Sequence, residues 1–87
     1  MHPVDTQQPY EPRPGDLLVV DGRASVQFLG DRALLLRVVA VDDRPTYHGW
    51  VWLAGYVLTL QGQALEKREI FVRRAGLRPA VRRTRKR

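Results

Sequence analysis

The chain has 87 residues, a formal net charge of +6, 44% hydrophobic and 28% charged residues, and no cysteine. Its length fits one domain with a small core, and the lack of cysteine excludes disulfides and thiolate metal sites. The composition is too apolar for a disordered chain, and the most apolar stretch, residues 50–60, is shorter than the ~20 residues that cross a bilayer.

The N-terminal segment, residues 1–14, contains four prolines among polar residues and has no apolar period. Such a sequence is typical of an extended arm. We expect this arm either to be free or to pack on the domain through Tyr10. Pro14-Gly15-Asp16 then marks the start of the folded domain. The first residues do not show the pattern of a signal peptide, a basic stretch followed by an apolar one. We therefore expect a cytoplasmic protein with no membrane contact.

Five β-rich segments follow, and turn residues separate them. Short strands at roughly even spacing predict a small barrel or sandwich, and the chain is too short for a full sandwich. We therefore expect an all-β fold, a five-stranded barrel over residues 15–81 followed by a basic tail, residues 82–87. The predicted strands are residues 17–20, 25–29, 34–41, 50–60 and 69–73.

Alternation of side chains assigns a core face to each predicted strand. In residues 50–58, two tryptophans and a tyrosine share one face, and aliphatic residues occupy the other. A small interior has no room for all three large aromatic side chains, so we expect them to face outward. The predicted core consists of Leu18, Val20, Val26, Phe28, Leu34, Leu36, Val38, Ala40, Val51, Leu53, Gly55, Val57, Ile70 and Val72.

Both ends of the predicted domain resemble a known fold family. Residues 14–22, PGDLLVVDG, are similar to the opening strand of SH3-like barrels such as the KOW and Tudor-like families. Residues 69–78, EIFVRRAGLR, resemble the end of those barrels, where a strand leads into one 3₁₀ turn before a last short strand, here residues 78–83. The resemblance implies an SH3-like barrel and, by analogy, a binding module.

Residues for catalysis or metal binding are sparse. His48 lies close in sequence to Asp42 and Asp43, which allows an acid–base pair in that loop, but a polar loop of this kind is usually without function. The same residues lack a recognised metal-ligand spacing, and nucleotide-binding and serine-hydrolase motifs are absent from the sequence. We expect no enzyme activity, cofactor or metal. Some toxin ribonucleases have a similar opening Gly-Asp strand, so a small ribonuclease stays an alternative.

The outward aromatic residues form one candidate interface, which consists of Trp50, Trp52, Tyr56 and Phe71. Four half-exposed aromatic side chains would leave ~300–500 Å² of apolar surface, as large as the biggest patch on a typical monomer. The chain's own termini, a protein partner or a second copy would cover such a patch. Stacked bases of single-stranded nucleic acid are a further alternative, with nearby cations supplied by Arg37, Lys67, Arg68 and Arg73.

The C-terminus forms the other candidate site. Residues 73–87 contain eight basic and no acidic residues, whereas residues 1–72 contain seven basic and nine acidic ones. A basic run of this kind predicts phosphate contacts with nucleic acid, and docking on an acidic protein or a solubility role are the alternatives. The predicted nucleic-acid-binding residues are Arg73, Arg74, Arg78, Arg82, Arg83, Arg85, Lys86 and Arg87.

These observations favour a non-enzymatic binding module that contacts DNA or RNA through its basic tail with little sequence preference. The alternative function is a protein–protein adaptor or assembly subunit that uses the aromatic face. Thirteen of the fifteen basic residues are arginine, a bias that a GC-rich bacterial genome also favours.

Overall fold

A computed structural model describes residues 10–80 of the protein. They form an antiparallel sheet of five strands and three 3₁₀ turns, so the predicted all-β fold is confirmed. Within this range no helix is long and apolar enough to cross a membrane. The strands are β1 (Leu17–Val20), β2 (Leu34–Asp42), β3 (Trp50–Leu58), β4 (Ala64–Arg73) and β5 (Arg78–Pro79). The turns are η1 (Val26–Phe28), η2 (Gly30–Arg32) and η3 (Arg74–Gly76).

The sheet is open, in the order β4-β3-β2-β1-β5, with antiparallel neighbours throughout. The expected closure into a barrel is not formed, because β4 and β5 occupy the two edges and do not pair with each other. The end of β4 is instead bonded to a loop, where the Arg73 N–H donates to the Ala24 carbonyl at 2.8 Å. Turn η3 then carries the chain across to β5.

The core lies on the inner face of the curved sheet. Most of the predicted core is confirmed, and Ala24 and Leu77 complete it. Gly55 also points inward, where a Cβ would lie 2.3 Å from the Arg37 carbonyl oxygen, so this position has no room for a side chain. The buried hydrophobic residues are Leu18, Val20, Ala24, Phe28, Leu36, Val38, Val51, Leu53, Val57, Ile70, Val72 and Leu77.

Two predicted core positions are wrong, each for a local reason. The predicted strand at residues 25–29 is turn η1, in which the Ser25 hydroxyl accepts a hydrogen bond from the Gln27 N–H at 3.3 Å. The turn leaves Val26 74% exposed. Ala40 is also exposed, because a bulge in β2 between Val38 and Ala40 reverses the alternation and turns Val41 toward the core instead.

Strand bounds differ from the prediction mainly at the sheet edges. β4 begins at Ala64, five residues before the predicted start, and β3 ends at Leu58. β5 has two residues, and residues 81–83 of the predicted last strand lie outside the described residues. Residues 1–9 of the predicted arm and residues 82–87 of the predicted tail lie outside them as well.

The described part of the N-terminal segment packs on the domain. Tyr10 lies half-buried against the core, its hydroxyl donates to the Asp16 carboxylate, and Pro12 is buried. Burial raises the pKa of Tyr10 to about 12, and the hydrogen bond to the negatively charged Asp16 acts in the same direction. Glu11 adds an exposed ion pair with Arg74 at 3.3 Å.

Candidate functional site

The outer face of the sheet, opposite the core, carries the candidate residues in rows that cross the strands. One row passes from Leu17 in β1 through Arg37 and Tyr56 to Lys67 in β4. We call its last three members, Arg37, Tyr56 and Lys67, the cationic row. Neighbouring strands lie ~4.8 Å apart, so consecutive residues of a row are direct cross-strand neighbours.

The aromatic cluster lies at the far end of the same face. It consists of Trp50 and Trp52 from β3, Phe71 from β4 and Tyr47 from the preceding loop. The Phe71 ring centroid lies 5.0 Å from that of Trp50 and 4.9 Å from that of Trp52. Both tryptophans and Phe71 are half-buried, whereas Tyr47 is 76% exposed. Sequence analysis missed Tyr47, since a loop residue has no alternation to place it.

Charged side chains at the rim of the aromatic cluster neutralise one another. The Arg44 guanidinium lies 4.6 Å from the ring centroid of Trp52. The same guanidinium pairs with Asp42 at 2.9 Å and with Glu69 at 3.5 Å. The cluster therefore presents aromatic surface with an ion-paired border, a composition that suits a protein partner better than a phosphate.

Tyr56 was grouped with the tryptophans, but the structure places it in the cationic row. Tyr56 is 40% exposed, and its cross-strand neighbours are Arg37 on one side and Lys67 on the other. Arg37 donates to the Gly15 carbonyl at 2.8 Å, which orients its guanidinium. Within residues 10–80 neither Arg37 nor Lys67 forms an ion pair with a carboxylate.

Three of the predicted nucleic-acid-binding arginines make contacts within the domain. Arg73 donates to the Arg23 carbonyl at 3.0 Å, and Arg74 donates to the Trp50 carbonyl at 3.2 Å. Arg78 pairs with Asp21. These contacts hold η3 to β3, and β4 and β5 to the loop that follows β1. The other five predicted residues, which lie outside the described part of the chain, are Arg82, Arg83, Arg85, Lys86 and Arg87.

The described chain ends beside the cationic row. The Ala80 N–H donates to the Leu17 carbonyl at 2.8 Å, and Leu17 is the cross-strand partner of Arg37. The arginine-rich segment therefore continues from the β1 end of the row that contains Tyr56. Sequence analysis did not predict this proximity, because Ala80, Leu17, Arg37 and Tyr56 come from distant parts of the chain.

The loop after β2 does not form a recognisable catalytic or metal site. Asp42 accepts one hydrogen bond from the Arg44 backbone N–H and pairs with the Arg44 guanidinium, while Asp43 and His48 are exposed. In the part of the chain that the structure describes, no three His, Cys, Asp or Glu residues come close enough to hold a metal ion. An open groove of about 500 Å³ at the other end of the outer face is lined mainly by aliphatic side chains such as Leu35 and Leu58.

Comparison with known proteins adds no relative. No family model matches the chain, and no curated protein or solved structure is significantly similar to it. The resemblance of residues 14–22 and 69–78 to SH3-like barrels therefore rests on those residues alone.

Proposed function

We propose that this protein is a non-enzymatic module that binds single-stranded nucleic acid, with the cationic row and the basic segment, residues 82–87, acting together. The observation that carries the proposal is the placement of an exposed aromatic residue between two cations, Arg37 and Lys67, that form no ion pair with a carboxylate of residues 10–80. Proteins that bind single strands without sequence preference combine stacking rings with cations that follow the backbone. The five strands, with a 3₁₀ turn before the short β5, support an SH3-like arrangement for such a module.

Each member of the cationic row has a distinct role in this proposal. The ring of Tyr56 stacks on one base, and stacking contributes ~1–3 kcal/mol per base. Arg37 and Lys67 contact the phosphates on either side of that base. These contacts carry no sequence information, so we expect little preference among sequences.

The length of the basic segment fits the row. From Ala80 across β1, β2 and β3 to Lys67 there are four strand spacings, or ~19 Å. The seven residues 81–87 can span up to ~23 Å when extended. The segment is therefore long enough for its cations to reach phosphates of a strand that lies along the row.

Fluorescence anisotropy with labelled oligothymidylate at several salt concentrations tests the proposal. Seven phosphate contacts, five from residues 82–87 and two from the row, predict a slope of log K against log[salt] of about −5. Deletion of residues 82–87 should reduce the slope to about −1.4 and leave the sheet folded. Tyr56→Ala should weaken binding by at least about fivefold at unchanged slope.

Tyr47→Ala is the matched control, because it removes the same exposed ring from outside the row. The proposal fails if the intact protein does not bind DNA or RNA strands at low salt. It also fails if Tyr56→Ala and Tyr47→Ala have equal effects, since the row would then contribute nothing specific.

The aromatic cluster favours a second candidate function, a protein–protein adaptor. Its two tryptophans are half-buried, and tryptophan is enriched among the residues that dominate interface energies. Proteins that copurify with this chain from its host should lose affinity by ~2 kcal/mol on Trp52→Ala. The same variant should bind oligothymidylate normally, so the two functions are separable. If the same proteins copurify equally well with the Trp52→Ala variant, the aromatic cluster is not the interface.

A further inference from the structure

Strand β4 forms a long open edge of the sheet. Nine of its ten residues pair with β3 on one side, with a bulge at Leu65, and no other strand of residues 10–80 pairs with it on the other. Such an edge presents a row of backbone donors and acceptors to other chains. Within residues 10–80 the middle of this edge is left uncovered, so it can accept a further strand whose charges match its own.

The hydrogen bonds of β4 show which groups face outward. The Arg73 N–H points away from β3, since it donates to the Ala24 carbonyl. Successive residues of an antiparallel strand direct their N–H and C=O groups to alternate sides. Phe71, Glu69 and Lys67 therefore also direct theirs outward, and within residues 10–80 no backbone group bonds to them there.

We propose that a second copy of this chain pairs with this edge, β4 against β4, antiparallel and two-fold symmetric about Arg68. A two-fold axis is the usual symmetry of a protein dimer, and an antiparallel pair of identical strands satisfies it. In this register Lys67 of each copy forms a hydrogen-bonded pair with Glu69 of the other. The inference does not depend on the proposed nucleic-acid function.

Among the outer-face residues, Lys67 and Glu69, charge favours this register over its two neighbours. Moving the axis one residue toward the N-terminus places Lys67 against Lys67, and moving it one residue the other way places Glu69 against Glu69. Like charges directly opposite each other destabilise a strand pair, and opposite charges stabilise it. With the axis at Arg68, the favourable Lys67–Glu69 pair occurs twice.

The neighbouring side chains are compatible with the same register. Arg68 faces its symmetry mate, but it is half-buried and its guanidinium lies 5.6 Å from the ring centroid of Phe28, over its own domain. Pairing would join the two sheets edge to edge, with both outer faces on one side.

Sedimentation equilibrium of the full chain, free of nucleic acid, tests the charges. We expect a mass that rises from 10.0 kDa toward the dimer as concentration increases. Lys67→Glu and Glu69→Lys should each raise the dimer dissociation constant by about tenfold, and the double variant should restore it. An equimolar mixture of the two single variants should also associate, because each supplies the charges that the other lacks. A monomer at every concentration, or no recovery in the double variant, would overturn the proposal.

A cysteine placed on the axis gives an independent test in this cysteine-free chain. Arg68→Cys places two thiols in a non-hydrogen-bonded pair, where Cβ atoms lie ~4.5–5.5 Å apart and a disulfide forms with little movement. We expect mild oxidation to cross-link this variant. Glu66→Cys is the control, because residue 66 faces Ile70 of the second copy and not its own symmetry mate. This variant should therefore remain monomeric in non-reducing electrophoresis. Preferential cross-linking of Lys67→Cys, or of the control, would refute the register.

Discussion

Turn η3 should tolerate no side chain at Gly76. A Cβ built on Gly76 would lie 2.0 Å from the Arg23 carbonyl oxygen, 2.2 Å from its carbon and 2.5 Å from the Ala24 nitrogen. All three atoms are backbone, so no rotamer change relieves the contact. In Gly76→Ala the loop at Arg23 and Ala24 must therefore move by about 1 Å or more to reach normal contact distances.

That movement would break identifiable interactions. The Arg73 backbone donates to Ala24 at 2.8 Å, and the Arg73 guanidinium donates to Arg23 at 3.0 Å. Each hydrogen bond contributes about 1 kcal/mol, and overpacking costs a further ~1–3 kcal/mol. Ala24, which is fully buried, would also be displaced from the core. We expect Gly76→Ala to lower the free energy of unfolding by about 3–5 kcal/mol.

Urea unfolding followed by tryptophan fluorescence measures this loss. Gly62→Ala is the control, because Gly62 has a φ of +91° but no atom within 4 Å of a new Cβ. It should therefore show the cost of backbone strain alone, about 1–2 kcal/mol. If Gly76→Ala unfolds at the same urea concentration as Gly62→Ala, the close contact between Gly76 and the Arg23–Ala24 backbone does not contribute to stability in this way.

Two further predictions concern the packing of Tyr10 and the faces of β3. Folding raises the pKa of Tyr10 from 10.0 to about 12, so its stabilising contribution is complete below pH 10 and is lost as the pH rises toward 12. Because Tyr10 is only half-buried, solvent screens part of this effect, so we expect a loss of about 1 kcal/mol in denaturant melts, and Tyr10→Phe should abolish this part of the pH dependence. Leu53→Ala should cost ~2–5 kcal/mol of stability because Leu53 is fully buried, and Trp52→Ala should cost about 1–2 kcal/mol because it loses stacking on the outer face. Equal losses in the two melts would contradict the assignment of faces.

The strands whose two faces differ most were the most predictable. β1 has the predicted bounds, and the alternation in β3 correctly sent Val51, Leu53 and Val57 inward and Trp50 and Trp52 outward. Alternation is informative there because both neighbours of β3 are strands and one face is buried. The first half of β4 has mostly exposed residues and no such pattern, so its start was missed.

The remaining errors arise from local geometry that composition does not encode. Residues 25–29 include residue types that favour strands, such as Val26 and Phe28. The Ser25 hydroxyl nevertheless accepts a hydrogen bond from the Gln27 N–H, and a 3₁₀ turn begins there. A single extra residue in β2 reversed the orientation of Ala40. A charge count treats all arginines alike, whereas Arg74 and Arg78 are bound to a carbonyl and a carboxylate of the domain.

The brevity of β5 has a mechanical consequence. Two residue pairs and the Ala80 hydrogen bond join it to β1 at the sheet edge. Tension on the C-terminus loads these bonds one after another, beginning at Ala80, so they yield at low force. The peeling stops at η3, where Gly76 lies against the Arg23 backbone and the Arg74 N–H holds the Gly49 carbonyl. A bound partner that pulls on the basic segment would thus release the residues of β5 and leave β1 to β4 intact.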